Sequence, residues 1–507
     1  MPDIILATLN IKYIHASLGL RCLLANLGEL EGRAALREFL VGQRSADIVE
    51  GLLATEPRVI GFGVYIWNVE EITRIVALLK QLRPDIAIVI GGPEVSHEYE
   101  DQALFHLADY LITGPGDLAF PELCLRLLAG ERPPDKVIAA APPPLARVAL
   151  PYRLYDDRDI RHRLTYVEAS RGCPFRCEFC LSALDRTAWP FDLDAFLGAM
   201  SSLYERGARH FKFVDRTFNL DVDSGLRILG FFHERLDERL FLHFELIPDR
   251  LSERLRSVLP GFPPGSLQFE IGIQTFNPEV QALISRRQDN AAAEANLRWL
   301  RRHTHVHLHI DLIAGLPGED IDSFGRGFDR LVALDPHEIQ VGVLKRLRGA
   351  PIARHTASHD MRYNPHPPYN VIATDCLEFA AVQRLGRFAR YWDLIGNSGR
   401  FAHTRPLLLG AAPFARFLAL SDWIHATTGR THEIALDRLF DLVHAGMTTV
   451  LGVADGEARA ALALDFNASG TRALPRCLAD ASVRDIVSRH PARARPGPVR
   501  QRRHHRQ

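Results

Sequence analysis

The middle of the chain alternates apolar strand patterns with amphipathic helical patterns. Runs rich in β-branched and aromatic residues predict six strands, at residues 165–168, 210–215, 240–245, 267–273, 305–314 and 338–343. Helical patterns lie between them, at 192–206 before Gly207 and over a longer stretch at 278–303. Strands that alternate with helices predict parallel βαβ units, so we expect a partial (β/α)6 barrel of the TIM type over residues 161–345.

The first 130 residues show a second alternation of this kind. Apolar runs at 4–8, 59–64, 86–90 and 110–112 predict buried strands, and residues 69–82 have helical period. The pattern predicts a doubly wound, Rossmann-like domain over residues 1–130. Glycines follow two of these strands, which would let the backbone approach a flat ligand or a phosphate. The dinucleotide motif G-x-G-x-x-G is absent, so a nicotinamide site is not supported.

Proline-rich stretches divide the chain further. Residues 131–160 contain two proline clusters without apolar period and predict a linker, and a second break lies at 364–368. Residues 346–490 are rich in Leu, Ala and Phe and predict a mainly helical C-terminal domain, which we expect to close the barrel mouth or to bind a partner. The basic, His-containing tail at 491–507 predicts disorder, and a solvated tail is preferred to a metal site there.

Charge and hydropathy limit the classes of partner. The 61 basic and 61 acidic residues give a net charge of zero, so the total offers no electrostatic case for nucleic acid or an anionic membrane. No uninterrupted apolar span reaches the length of about 18 residues that a membrane helix needs. With no signal peptide, the chain is expected to be cytoplasmic.

One short run holds three of the seven cysteines. Residues 168–180 read Glu-Ala-Ser-Arg-Gly-Cys-Pro-Phe-Arg-Cys-Glu-Phe-Cys, which places Cys173, Cys177 and Cys180 in the spacing C-x3-C-x2-C after a predicted strand. Three thiolates from one loop can hold three corners of a 4Fe-4S cluster and leave the fourth iron open.

Zinc and disulfides are the weaker alternatives for these cysteines. A structural zinc site needs a fourth ligand and usually shows two ligand pairs. The remaining cysteines are scattered singly, at Cys22, Cys124, Cys376 and Cys477. A disulfide framework is disfavoured because thiols stay reduced in the cytosol.

At these residues the sequence resembles the radical S-adenosylmethionine superfamily, whose signature is C-x3-C-x2-C with an aromatic residue before the last cysteine, here Phe179. The resemblance implies that the three cysteines ligate the cluster and that S-adenosylmethionine chelates the open iron. It implies reductive cleavage to methionine and a 5'-deoxyadenosyl radical. A flavodoxin or ferredoxin is implied as the electron donor.

The resemblance also assigns S-adenosylmethionine contacts at the ends of the predicted strands, where chemistry lies in such barrels. Val214-Asp215-Arg216 replaces the Gly-Gly-Glu that many members carry after the second strand. Arg286 or Arg287 can pair with the methionine carboxylate, since Arg suits carboxylates. A helix cap at Asp215 and solvated helix charges at the arginines stay open as alternatives. The expected contacts are Phe179, Asp215, Glu245, Gln274, Arg286 and Gly315.

Three histidines alternate along the fifth predicted strand, at His305, His307 and His309. At period two they would share one face of the strand. A zinc or iron site is open there, but a polar barrel lumen or surface-facing histidines are preferred.

A Rossmann-like domain placed before such a barrel resembles the cobalamin-binding domain of the cobalamin-dependent subfamily. The lower-ligand motif D-x-H-x-x-G is absent, and the nearest stretch, with His15, has the wrong spacing. Cobalamin is therefore expected to bind without a protein histidine on cobalt. The resemblance implies corrin contacts, with core packing an alternative for the aromatics, from Tyr65, Trp67, Gly91, Gly92 and Gly114.

These features together predict a cobalamin-dependent radical S-adenosylmethionine enzyme that methylates an unactivated carbon. Radical rearrangement or cyclisation without methylation is an alternative within the same subfamily. A non-catalytic cobalamin or redox sensor that retains a cluster is the alternative from another class. The barrel itself accommodates many substrates, so neither fold nor motif selects one.

Overall fold

Two six-stranded parallel sheets organise the chain. The computed structural model describes residues 1–471 and 473–479, so the predicted disordered tail at 491–507 lies outside the described residues. The predicted fold class is confirmed: a Rossmann-like domain precedes a partial barrel, and a mainly helical region follows.

The first sheet has the order β2-β1-β3-β4-β5-β6, with every neighbouring pair parallel. Its strands are β1 (Ile4–Asn10), β2 (Ala34–Leu40), β3 (Val59–Gly63), β4 (Ala87–Gly91), β5 (Tyr110–Thr113) and β6 (Val137–Ala139). Its helices are α1 (Leu18–Ala25), α2 (Ser45–Leu53), α3 (Val69–Leu82), α4 (Ala103–Leu107) and α5 (Ala119–Leu128).

Burial explains which of these strands the apolar pattern finds. All seven residues of β1 are buried, as expected for a parallel strand covered on both faces. Strand β2 escapes the pattern because it lies at the sheet edge, half-buried, with Arg37 and Glu38 in its centre. The stretch 131–160, predicted as a linker, instead carries β6, which pairs with β5, and a further helix, α6 (Asp157–His162).

The second sheet forms the partial barrel in the order β14-β13-β12-β11-β10-β7, again all parallel. Its strands are β7 (Thr165–Val167), β10 (His210–Phe213), β11 (Phe241–Leu246), β12 (Leu267–Gln274), β13 (His307–Ala314) and β14 (Glu338–Val343). A separate two-stranded antiparallel pair, β8 (Ser170–Arg171) and β9 (Trp189–Pro190), lies between β7 and β10 in sequence.

Helices between the barrel strands are α7 (Leu193–Glu205), α8 (Val222–His233), α9 (Glu253–Val258), α10 (Pro278–Leu283), α11 (Asn290–His303) and α12 (Ile321–Ala333). The single helical stretch predicted at 278–303 is therefore two helices. Ser285 breaks it with a φ of 53°, and the Asp289 carboxylate then caps α11 by accepting the Ala292 N–H.

Alternation along β12 makes one face of the barrel polar. Its residues are alternately buried and half-buried, with Leu267, Phe269 and Ile271 buried in the core. The side of β12 that carries Glu270, Gly272 and Gln274 lines a cavity at the end of the barrel. The strand thus packs its apolar side into the core and turns its polar side to the lumen.

The C-terminal region packs on the barrel and shares its core. Phe328 of α12 contacts Phe388, Trp392 and Phe414 at ring distances of 4.8–6.1 Å. This region has a two-stranded sheet, β15 (Arg362–Tyr363) and β16 (Val371–Ala373). Its helices are α13 (Phe379–Ile395), α14 (Arg405–Leu409), α15 (Pro413–Thr428), α16 (Leu436–Thr449) and α17 (Asp455–Ser469). Throughout the described part of the chain, none of the helices combines the length and hydropathy needed to cross a bilayer.

Candidate functional site

The three motif cysteines lie in a loop that leaves the barrel after β7. Strands β8 and β9 close the base of this loop. Gly172, with a φ of 93°, precedes the first cysteine, and a Cβ atom there would lie 2.2 Å from the Thr187 carbonyl oxygen. The Cys173 N–H donates to the Asp185 carbonyl, which fixes the start of the loop. Glycine is therefore required at position 172 for the loop to fold back on itself.

Cys173, Cys177 and Cys180 all line one cavity of about 270 Å³, which we call the cysteine cavity. Burial raises the pKa of the Cys173 thiol, and the nearby Cys180 and Cys177 add to this shift. Burial also raises the pKa of Cys177, although the Arg286 guanidinium, 3.4 Å from its sulfur, opposes the shift. Burial therefore disfavours the thiolate form of these cysteines unless a cation binds close to the sulfurs. Three cysteines in one loop can ligate three irons of a 4Fe-4S cluster.

Four of the six residues predicted to contact S-adenosylmethionine line the cysteine cavity: Phe179, Glu245, Gln274 and Arg286. Gln274 follows a register shift between β12 and β13 and has a left-handed φ of 68°. Its side-chain oxygen is buried and accepts no hydrogen bond within the described residues. A strained residue with an unused buried acceptor at a cavity wall suits a bound ligand that donates hydrogen bonds.

Asp215 and Gly315 are not among the residues that line the cysteine cavity. The Asp215 carboxylate accepts the Ala169 N–H at 3.0 Å and the Ser170 hydroxyl at 2.6 Å. Burial raises the pKa of Asp215 to about 6. Asp215 therefore holds the backbone that leads into the cysteine loop. Gly315 turns the chain after β13, where a Cβ atom would lie 2.5 Å from the Val371 side chain.

Arg216 occupies the position at which the motif departs from its relatives, and it lines the cysteine cavity. Its guanidinium donates to both oxygens of Glu245, at 3.0 and 3.1 Å. Arg286 forms no ion pair with a carboxylate in the described part of the chain. It donates to the Gly272 carbonyl and to Gln288 in addition to its contact with Cys177. If Arg286 binds the methionine carboxylate of S-adenosylmethionine, as predicted, its guanidinium would also have to keep its contacts with Gly272, Gln288 and Cys177.

A second cavity, of about 340 Å³, lies between α1 and the strands β3, β4 and β5 of the first sheet. We call it the glycine cavity. Four of the five predicted corrin contacts line it: Tyr65, Gly91, Gly92 and Gly114. The fold itself requires glycine at position 92, because a Cβ atom there would lie 2.5 Å from the Val64 carbonyl oxygen.

Trp67 does not line the glycine cavity. It stacks on Tyr65, with ring centroids 4.5 Å apart, and its indole N–H donates to the Leu9 carbonyl. Trp67 therefore supports Tyr65 from behind. Residues that the sequence prediction missed also line this cavity, among them Gly19, Cys22, Asp117, Phe120, Glu168 and Arg171.

Within the described residues, the wall of the glycine cavity holds glycines, apolar side chains and the charged Asp117, Glu168 and Arg171, but no histidine. His15, the nearest histidine to the expected ligand motif, has its Nδ1 atom 2.7 Å from the Tyr166 hydroxyl, between the first domain and β7.

A third cavity, of about 210 Å³, shares wall residues with both of the others, and we call it the junction cavity. It shares Glu168 and Arg171 with the glycine cavity and Ser182 and Arg216 with the cysteine cavity. Arg171 donates to Asp117 of the first domain and to Glu168 at the end of β7. In the sequence, this role of Arg171 is indicated only by its position next to Gly172-Cys173.

The histidines of the histidine-rich strand contact carboxylates. Only His307 and His309 lie within β13, and both pair with Glu338, at 3.2 and 3.1 Å. Although burial opposes its charge, His309 has its pKa raised to about 10 by Asp311 and Glu338. In residues 1–471 and 473–479, no three His, Cys, Asp or Glu side chains are arranged around one metal ion.

Two known family models match the regions of the chain that form the two sheets. A B12 binding domain model matches residues 4–124, and a radical SAM superfamily model matches residues 167–331. A third model, described as a protein of unknown function (DUF4080), matches residues 357–492.

Two curated proteins are similar to part of this chain. The 2-(S-pantetheinyl)-carbapenam-3-carboxylate methyltransferase of Streptantibioticus cattleyicolor is 23% identical over 59% of this chain and 48% of its own length. The cobalamin-dependent radical SAM methyltransferase TokK of Streptomyces tokunonensis is 25% identical over 60% of this chain and 49% of its own length. The chain thus spans about half the length of the curated relatives it matches.

Solved structures share the fold. The cobalamin-dependent S-adenosylmethionine radical enzyme OxsB, with aqua-cobalamin bound, superposes with a TM-score of 0.65 over 98% of this chain and 85% of its own, at 14% identity. The radical S-adenosylmethionine methyltransferase TsrM from Kitasatospora setae gives a TM-score of 0.58 over 72% of this chain and 79% of its own, at 18% identity.

Proposed function

The chain belongs to the cobalamin-dependent radical S-adenosylmethionine proteins, and on that premise we propose that it is an enzyme that methylates an unactivated carbon. One observation carries the proposal. The junction cavity shares wall residues both with the cavity lined by all three motif cysteines and with the cavity at the end of the first sheet. A substrate in the junction cavity would have a cofactor on each side.

The residues at the cysteine cavity suit a cluster and S-adenosylmethionine. We propose that Cys173, Cys177 and Cys180 would hold a 4Fe-4S cluster, which would supply an open iron site for S-adenosylmethionine and the electron for its reductive cleavage. The buried Gln274 oxygen would accept a hydrogen bond from the bound molecule. The Arg216–Glu245 pair would supply one cation and one anion close to the zwitterionic methionine end.

The glycine cavity would hold the corrinoid over the ends of the strands. Gly91, Gly92 and Gly114 keep its wall free of side chains, and Tyr65 presents an aromatic ring to it. We propose that Asp215 acts on the reaction indirectly, by orienting the backbone before the cysteine loop through Ala169 and Ser170.

The junction cavity would orient the substrate. Its polar wall offers the Ser182 hydroxyl, the Asp185 carboxylate and the Arg216 guanidinium. These groups can fix a substrate that carries hydrogen-bonding groups next to the carbon that reacts.

The test is product analysis of the holoprotein. Each methyl transfer would consume two molecules of S-adenosylmethionine, one giving S-adenosylhomocysteine and the other methionine and 5'-deoxyadenosine, with electrons from a flavodoxin or ferredoxin. Even without substrate, we expect mass spectrometry to detect slow release of 5'-deoxyadenosine under dithionite.

The product pattern separates the alternatives. Formation of 5'-deoxyadenosine alone in the presence of the true substrate would favour rearrangement or cyclisation. Its complete absence from cluster-replete protein with S-adenosylmethionine bound would favour a sensor or a non-radical methyl transfer.

A further inference from the structure

A short segment after the last barrel strand touches the loops of both proposed cofactor sites. We call residues 346–355, which follow β14, the bridging segment. It lies between the residues matched by the radical SAM model, which end at 331, and those matched by the third model, which begin at 357. None of the three family models accounts for it.

One end of the bridging segment holds the loop after β4. Arg348 Nε lies 3.1 Å from Glu94 Oε1, and Glu94 is buried, with 4% of its surface exposed. Arg346 pairs with Glu98 at 2.9 Å, and the Gly349 N–H donates to the same carboxylate at 3.0 Å. Glu94 follows Gly92 by two residues, so these contacts hold the wall of the glycine cavity.

Gly349 shows how closely the two elements approach. Its φ is 81°, and a Cβ atom there would lie 2.5–2.7 Å from atoms of His97. Both the left-handed backbone and the contact with His97 require glycine. The bridging segment therefore lies in direct contact with the first domain.

The other end of the bridging segment holds the cysteine loop. Glu178, which lies between Cys177 and Phe179, is buried and turned away from the cysteine cavity. Its carboxylate accepts from Arg354 at 2.7 Å and lies 2.9 Å from His355 Nε2. The Glu178 carbonyl also accepts the Ile352 N–H at 2.9 Å.

We propose that the bridging segment sets the distance between the corrinoid and the cluster, with Arg348 and His355 as positioning residues. This inference rests on the proposed function, because it presumes that both cofactors bind. Each end of the segment contacts a buried carboxylate. Without Arg348, Glu94 would keep the Tyr369 hydroxyl but lose its cation. Without His355, Glu178 would keep Arg354 but lose one of its partners. A transfer between two centres is sensitive to such displacements.

The experiment measures the spacing directly. Holoprotein loaded with cobalamin and a reconstituted cluster is prepared with cobalt as Co(II) and the cluster reduced, and pulsed electron paramagnetic resonance records the dipolar coupling between them. Arg348→Met and His355→Phe should each retain wild-type iron and corrinoid contents. Each should at least double the width of the distance distribution or displace its mean. If Arg348→Met does not fold, Arg346→Met, at a half-exposed pair, should change the distribution in the same direction.

The matched control is Arg384→Met, which removes a part-exposed pair with Asp422 between α13 and α15, away from both loops. It should reproduce the wild-type distribution. A wild-type distance distribution in both Arg348→Met and His355→Phe would overturn this inference but not the proposed function. An equally broadened distribution in the control would do the same. Wild-type protein that carries a cluster but no corrinoid would overturn the proposed function and the inference with it.

Discussion

Arg171 and Asp117 form a two-point ion pair between the first domain and the barrel, with guanidinium nitrogens 2.9 and 3.2 Å from the two carboxylate oxygens. Arg171 also donates to Glu168 and lies two residues before Cys173. Because a planar guanidinium holds two carboxylates in fixed directions, one side chain connects the wall of the glycine cavity to the cysteine loop.

Replacing Arg171 by Met should lower the thermal unfolding midpoint and weaken corrinoid retention. The change leaves the carboxylates of Asp117 and Glu168 buried without a cation, and breaking such a pair costs about 3 kcal/mol. Thermal melts and the corrin absorbance that survives gel filtration measure the two effects. Arg227→Met is the control, since its pair with Asp194 is exposed and should matter little. Equal effects of the two variants would refute a special role for Arg171.

Alanine at Cys173, Cys177 and Cys180 together should abolish the iron and sulfide bound after anaerobic reconstitution. All three thiols line the cysteine cavity, whereas Cys376 is exposed and Cys124 is buried in the first domain. Cys376→Ala and Cys124→Ala should therefore keep wild-type iron content. Full iron content in the triple variant, or loss of iron in either control, would show that the cluster ligands are misassigned.

The Co(II) form of corrinoid-loaded protein should show no superhyperfine splitting from an axial nitrogen. Among the residues that the structure describes, no histidine lines the glycine cavity, and His15 contacts the Tyr166 hydroxyl. Electron paramagnetic resonance of wild type and His15→Ala checks this, and the two spectra should match. A nitrogen splitting that disappears in His15→Ala would overturn the prediction, and protein that takes up no corrinoid would remove cobalamin from the proposed function.

Local pattern predicted the parallel strands because those strands are apolar on both faces or strictly alternating. It failed where neighbours decide the conformation. Strand β2 forms at the sheet edge from a sequence that contains Arg37 and Glu38, and β6 forms within a proline-rich stretch because β5 offers it an open edge. Neither of these strand pairings can be predicted from the apolar periodicity of the sequence.

The placement of the candidate-site residues could also be predicted from the sequence in some cases and not in others. The cysteines face one cavity because their spacing places them in one loop after a strand. Asp215 also follows a strand, but its carboxylate turns to the amide of Ala169 instead of the cysteine cavity. Strand ends can be located from sequence, whereas the direction of a side chain there depends on which buried N–H groups need an acceptor.

Glu319 makes stability depend on pH in a direction that can be tested. Its carboxyl is buried, accepts from Thr275 at 2.6 Å, and has one oxygen without a hydrogen-bond partner within the described residues. Burial raises the pKa of Glu319 from its ordinary value of 4.5 to about 7. Between these values the folded chain keeps a proton that the unfolded chain releases, so the contribution of Glu319 to the free energy of unfolding falls as pH rises from 4.5 to 7, by about 3 kcal/mol at most.

Glu319→Gln should therefore stabilise the protein at pH 8 and leave it nearly unchanged at pH 4.5. The amide has the shape of the protonated acid and stays neutral, so it avoids the cost of a buried charge at high pH. The difference in melting temperature between variant and wild type isolates this group, because other titrating groups contribute equally to both proteins. Glu279→Gln, at an exposed position of α10, is the control. A Glu319→Gln difference that is the same at both pH values would mean that folding does not raise the pKa of Glu319.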